Sequence, residues 1–368
     1  MHADRYRVIF NTAIRGFSRK VSVNMSHHLL RLSLFALLST VFYQEGRSFL
    51  ADVPAIDAVS AATSQRVSVI AVLKAGDDLL EQPAAADAPL TSAQIEDLVS
   101  KAIYLSGGIH KYIDPGSEWI LLKPDVAALD TSGSGRVTDV RVVKGVIEVV
   151  HQAAPQAQIS IVEGPTQWIS PGQEIDKEKA GSAEVADGFE RAGYRALLAD
   201  PALADIELDI IDLNFAAAEE IDVPDSSEVA NAYFVPIELL ECDMLISIPV
   251  FKGGVADGME SLKTIAPGPH YGWDRSALPT RADKPGGTLI DLALLVEADF
   301  AVMDMLAEHR AIVAGRDLVA VDATAARMVA LKPEESPIHQ LGYARRIGQF
   351  HSDWLKVVTA ESFKKAEE

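Results

Sequence analysis

Trp119-Ile120-Leu121-Leu122-Lys123-Pro124 is the stretch whose reading decides the fold of this chain. Its apolar residues run on without alternation. A strand with that pattern is covered on both faces, as in a parallel sheet packed between helices. Lys123 and Asp125 then stand at its carboxyl end.

The same logic extends in both directions. Upstream, Val67 to Leu73 is a β-branched run that reads as a first strand. A helix follows from Thr91, with Gln94 three residues on and apolar residues at Ile95, Leu98, Val99, Ala102 and Ile103. Downstream, Asp139 precedes a helix from Val140 to Ala153, with Val142, Val143, Val146, Ile147 and Val150 on one stripe. Strands are expected at Gln158–Glu163, Leu208–Asn214, Met244–Val250 and Phe300–Asp304, with a short edge strand at Tyr233–Pro236. Helices are expected near Ala183–Ala192, Ile237–Glu241, Leu289–Glu297 and Asp317–Leu331. Strands alternating with helices make βαβ units. The expected fold is therefore α/β, a mostly parallel sheet flanked by helices, over residues 67–332. Residues 333–368 read as a C-terminal helical extension.

The first fifty residues differ from the rest. They carry seven Lys/Arg and two Asp/Glu, against 26 and 51 in the remainder. The apolar run Leu32 to Phe42 is too short for a bilayer, which takes about 20 residues. It matches the h-region of a signal peptide, with Met25 as an alternative start. Residues 1–51 are thus read as a signal-like or disordered segment and 52–66 as a linker. The chain is expected to be exported or periplasmic, with no stable membrane span. The alternatives are an N-terminal helix packed on the domain or an uncleaved anchor, and for localisation the cytoplasm.

The 368 residues carry a net charge of −20. That charge speaks against a nucleic-acid partner, which needs a basic face. Cys242 is the single cysteine. Neither a disulfide framework nor an iron–sulfur cluster can be built from it, and it reads as a small core residue. The chain contains neither the order of a phosphate loop nor Gly-x-Gly-x-x-Gly, His-Glu-x-x-His or Gly-x-Ser-x-Gly. Thr131-Ser132-Gly133-Ser134-Gly135-Arg136 is Gly-rich but lacks the lysine of such a loop.

Ligands of open α/β sheets bind beyond the carboxyl ends of the strands. The residues there are Lys123 and Asp125, Glu163 and Gly164, Asp212 and Asn214, Ser247 and Lys252, and Asp304. Lysines on such a rim could grip a small anion, and carboxylates could hold a divalent metal. Lys123, Lys263 and His270 are the candidate catalytic residues. Asp125, Asp139, Glu163, Gly164, Asp212, Asn214, Ser247 and Lys252 are the candidate ligand-binding ones. Each has a structural alternative: a helix cap for Asp139, a turn for Glu163-Gly164-Pro165, loop starts for Asp212 and Asn214. The segment from Phe251 to Trp273 has the composition of a binding loop. The expected partner is a small anionic molecule, bound by an enzyme or by a non-catalytic binding protein.

Several of these stretches together resemble the family catalogued as domain of unknown function 362. They are Ile120 to Asp125, Thr138-Asp139 with Arg141-Val142-Val143, Val162-Glu163-Gly164-Pro165, Ile211 to Asn214, Asp243 to Pro249, Ser261-Leu262-Lys263 and Ala314 to Ala323. The resemblance implies an α/β fold with a shared polar site and supplies no settled reaction. Some members carry ferredoxin-like cysteines, which this chain lacks. It also departs from the family's pattern at Asp125, at Val250 to Gly254, and at Met305 to Val313, where a Gly-rich loop is usual.

Overall fold

The computed structural model of the chain describes residues 67–114, 116–126, 129–164, 167–168, 185–224, 227–252 and 281–367. The strands are β1 Ser68–Lys74, β2 Trp119–Pro124, β3 Gln158–Glu163, β4 Gln167–Trp168, β5 Val185–Ala186, β6 Leu208–Asp212, β7 Ala218–Asp222, β8 Ala232–Pro236, β9 Met244–Ile248, β10 Phe300–Met305, β11 Ala311–Gly315 and β12 Leu355–Val358. The α-helices are α1 Ser92–Leu105, α2 Val140–Ala153, α3 Gly188–Arg191, α4 Ile237–Glu241, α5 Gly287–Leu295, α6 Leu306–His309, α7 Leu318–Met328, α8 Pro337–Ala344 and α9 Ala360–Glu367.

Eight strands form one sheet in the order β12-β1-β11-β10-β9-β2-β3-β6. β11 runs antiparallel to β1 and β10, and every other neighbouring pair is parallel. The expected mostly parallel α/β architecture is present. Helices cover both faces, which is why the central strands carry apolar residues at successive positions. Ile120, Leu122, Ile159, Ile161, Phe300 and Val302 pack with α1 and α2. Leu121, Val162, Leu245, Ala301 and Met303 pack with α5, α7 and α8 on the other side. The start of α1 is a full capping box: Thr91 Oγ1 accepts from Gln94 N, and Gln94 Oε1 accepts from Thr91 N.

Four elements differ from expectation. The helix near Ala183–Ala192 is only the single turn α3, capped by Asp187, with β5 before it; residues 183 and 184 lie outside the described residues. Tyr233–Pro236 belongs to β8, which pairs with the acidic β7 in a separate two-stranded sheet rather than on the edge of the main one. The sequence Ala218-Glu219-Glu220-Ile221-Asp222 has weak strand propensity, and its partner decides its conformation. β11 was not anticipated either. It follows β10 through the short α6, so a hairpin-like return replaces a crossover. Finally, the tail after residue 333 includes helices but also β12, which pairs in parallel with β1.

Candidate functional site

Parallel strands deliver their carboxyl ends to one rim, and the crevice opens where the strand order turns back. Here the turning point is β2. The chain goes from β2 to β3 and β6 on one side, then returns to β9 and β10 on the other.

The structure places most of the sequence-derived residues along this rim. Lys123 lies opposite Ser247 in register, and Glu163 opposite Asp212. Lys123 and Glu163 form an ion pair with both side chains fully buried. Lys252 Nζ reaches Asp125 Oδ2 at 2.7 Å, with the carboxylate buried and the lysine partly exposed. Asp212 Oδ1 accepts from Asn214 N at 2.9 Å, which makes a turn at the end of β6. Gly164 is buried directly after β3. Lys263 and His270 lie outside the described residues. The two described lysines expected to hold an anion are thus each engaged by a carboxylate.

The cavity at this rim has a different lining. It holds about 120 Å³ between the loop before α2, α1 and the β10–α6 junction. Gly133, Gly135, Asp139, Arg141, Asp304 and Arg310 supply its backbone and polar walls, and Leu90, Ile95, Leu306 and Ala307 the rest. Of the candidate catalytic and ligand-binding residues read from the sequence, Asp139 alone among the described residues lines it.

Local structure explains how these groups meet. Thr138 Oγ1 donates to Ile248 O at 2.6 Å and accepts from Asp125 N at 3.0 Å, tying the start of α2 to β9 and β2. Tyr194 Oη donates to Thr138 O at 2.8 Å from a fully buried position. Asp139 caps α2: its Oδ1 accepts from Arg141 N at 2.9 Å, and Arg141 Nη2 donates to Oδ2 at 2.6 Å. Ser132 Oγ also donates to Asp139 Oδ1 at 3.2 Å. Gly133 and Gly135 are left-handed, with φ of 79° and 75°. A Cβ on Gly135 would stand 2.9 Å from Ala307 Cβ, so this close approach requires glycine.

Asp304 ends β10 on the face that Phe300 and Val302 share, as strand alternation dictates. It is 3% exposed. Its Oδ2 accepts from Asp139 N and its Oδ1 from Leu306 N, each at 2.8 Å. Burial pushes its carboxyl up to about 6, against the pull of those two amides. Asp139 behaves oppositely. Burial raises it too, but the hydrogen bonds and charge of Arg141 outweigh that and hold it below the usual 3.8. Burial also drives the Tyr194 hydroxyl well above 10, helped by the charge of Asp304.

Arg310 joins α6 to β11 with φ of 50°, a conformation uncommon outside glycine. Its carbonyl accepts from Ala75 N at 2.8 Å, and its Nη1 donates to Ala88 O at 2.8 Å. Its Nη2 is buried and meets no hydrogen-bond acceptor among the described residues. Arg141 spends three of its five N–H donors, on Asp139 and on Leu90 O. The cavity therefore presents unused guanidinium donors. Sequence reasoning named Asp304 as a strand-end residue and noted the Gly-rich 131–136 loop. It gave no weight to Arg141 or Arg310 as ligand-binding groups, because nothing local marks an arginine that chain folding carries to a rim.

Among the described residues, no three of His, Cys, Asp and Glu come together to hold a metal ion, and no helix is long and apolar enough to cross a membrane. Cys242 is half-buried and in no disulfide.

Residues 120–327, more than half of the chain, match the model of the family described as domain of unknown function (DUF362). The chain belongs to that family. Among solved structures it is similar to that of the lactate racemase apoprotein from Thermoanaerobacterium thermosaccharolyticum, at 11% identity and a TM-score of 0.33. That likeness covers 76% of this chain and 59% of the other. Comparison with curated proteins gives no match.

Proposed function

We propose that this protein binds a small anionic molecule in the cavity between the start of α2 and the end of β10. The observation that carries this reading is the pair of guanidinium groups on the cavity wall, above all the buried Arg310 Nη2 with no acceptor among the described residues. A buried donor left unpaired costs about 1–3 kcal/mol, more when charged. An oxyanion removes that cost, and arginine suits oxyanions through its planar fork of donors. A single water needs roughly 10–15 Å³, so about 120 Å³ takes an anion of several heavy atoms. The overall charge of −20 makes a general attraction for anions an unsuitable explanation, so the affinity must come from the local site.

Calorimetric titration with inorganic phosphate, sulfate, acetate and oxalate tests the reading. At least one is expected to bind, and Arg310→Gln is expected to weaken it by tenfold or more while the protein still melts cooperatively. If none of the four binds, or if Arg310→Gln leaves affinity unchanged, the cavity is not an anion site.

A further inference from the structure

The acceptors in the cavity say more about the anion than its donors do. This step rests on the anion reading of the same site. An ionised carboxylate offers about four lone-pair sites. Asp139 accepts from Ser132 Oγ and from Arg141 N and Nε on Oδ1 and from Arg141 Nη2 on Oδ2, and this guanidinium holds it ionised. Among the described residues the Asp304 carboxylate accepts from Asp139 N on Oδ2 and from Leu306 N on Oδ1, one bond per oxygen, and so keeps capacity for a further donor. It is also nearly fully buried on the cavity wall. An oxyanion that enters brings oxygens toward a carboxyl group. Two ionised oxygens in contact repel, whereas one proton between them makes a short, strong hydrogen bond.

We propose that the cavity takes its oxyanion together with one proton, shared between a ligand oxygen and Asp304. The site thereby favours a phosphoryl group, which brings its own proton near neutrality, over sulfate, which brings none.

The neighbouring charges leave Asp304 as the group that exchanges this proton. Arg141 and Arg310 stay cationic throughout the neutral range. Asp139 is locked to Arg141, and Asp125 to Lys252. Tyr194 keeps its proton. On α6, Glu308 is exposed, and His309 lies 3.8 Å from it. His309 stands on the same short helix that follows Asp304, so it needs its own control. The raised carboxyl of Asp304, at about 6, supports the assignment. Above that value a sulfate must draw its proton from solvent, at a penalty of tenfold in affinity per pH unit.

The test is calorimetric titration of the full chain with sulfate, inorganic phosphate and methyl phosphate between pH 6 and 8. Sulfate affinity is expected to fall about tenfold per pH unit, and at pH 7 inorganic phosphate is expected to bind about fivefold more tightly than sulfate and methyl phosphate, whose second pKa is about 6, about twofold more tightly. The two phosphates separate a free anion from a monoester as the natural ligand, and preference for either one supports the proposal. Asp304→Asn is expected to flatten the sulfate profile, and His309→Gln to leave it steep. The wild-type profile decides the matter even if Asp304→Asn does not fold. A flat sulfate profile, or sulfate binding as tightly as phosphate at pH 7, overturns the shared proton and leaves the anion site standing. A profile flattened by His309→Gln assigns the proton to the histidine and also overturns it. If no anion binds at any pH, both readings fall together.

Discussion

Replacing Lys123 by methionine isolates the buried charge pair at the heart of the sheet. Both side chains of the Lys123–Glu163 pair are fully buried, on adjacent parallel strands β2 and β3. Methionine keeps the length and removes the charge, so Glu163 is left buried beside an apolar group. Breaking a buried pair in this way costs about 3–5 kcal/mol, because a carboxylate is stranded away from water. For a domain of this size a loss of 1 kcal/mol lowers Tm by roughly 2 °C, so the expected drop is about 6–10 °C. The double variant Lys123→Met with Glu163→Gln removes both charges. It is expected to recover most of that loss, since neutral pairs of similar shape avoid the desolvation penalty. Urea unfolding of the wild type, both single variants and the double variant gives the coupling directly. A loss below about 1 kcal/mol in Lys123→Met would mean the pair is solvated, and that the sheet interior at this rim is open to water. Additive single losses would mean the two side chains do not interact.

Three other outcomes follow from the site. Asp304 binds its proton more tightly in the folded chain, at about 6, than at its ordinary 3.8. The unfolded chain then holds fewer protons between those values, so stability falls as pH rises through that window, by roughly 3 kcal/mol in all. The Tm difference between wild type and Asp304→Asn should therefore shift in favour of wild type as pH drops from 7 to 4.5, and a constant difference would refute the burial argument. Gly135→Ala should destabilise by about 1–2 kcal/mol, through its left-handed φ and its contact with Ala307, and chemical denaturation reads it. Asp139→Ala removes the cap of α2 and the partner of Arg141. It is expected to lower stability by about 1–2 kcal/mol while strengthening anion binding, because Arg141 regains its donors. Weaker binding would show that Asp139 serves the ligand rather than the helix.

The elements that were legible in the sequence are those whose pattern is set by their immediate surroundings. β2 and β3 are apolar runs because both faces are covered, α2 carries its stripe at Val142, Val143, Val146 and Val150, and α1 announces itself through Thr91 and Gln94. Such signals arise from periodicity and capping, which act within a few residues. The placement of Lys123, Glu163, Asp212 and Ser247 in a row across the sheet was also foreseeable, since each ends a parallel strand.

Tertiary structure alone decided the rest. β7 became a strand because β8 paired with it, β11 turned antiparallel through the short α6, and β12 found β1 across more than 280 residues of chain. Whether a charged residue serves a ligand or a partner is equally a matter of distant neighbours. Lys123 met Glu163 from the next strand and was buried with it, whereas Arg310, in a stretch that marked only a departure from the family's loop, reached a cavity beside Arg141 with a donor to spare. Local sequence records how a residue would like to fold. The charges and hydrogen bonds it will meet come from segments that only the folded chain brings within reach, and at these distances they decide its chemistry.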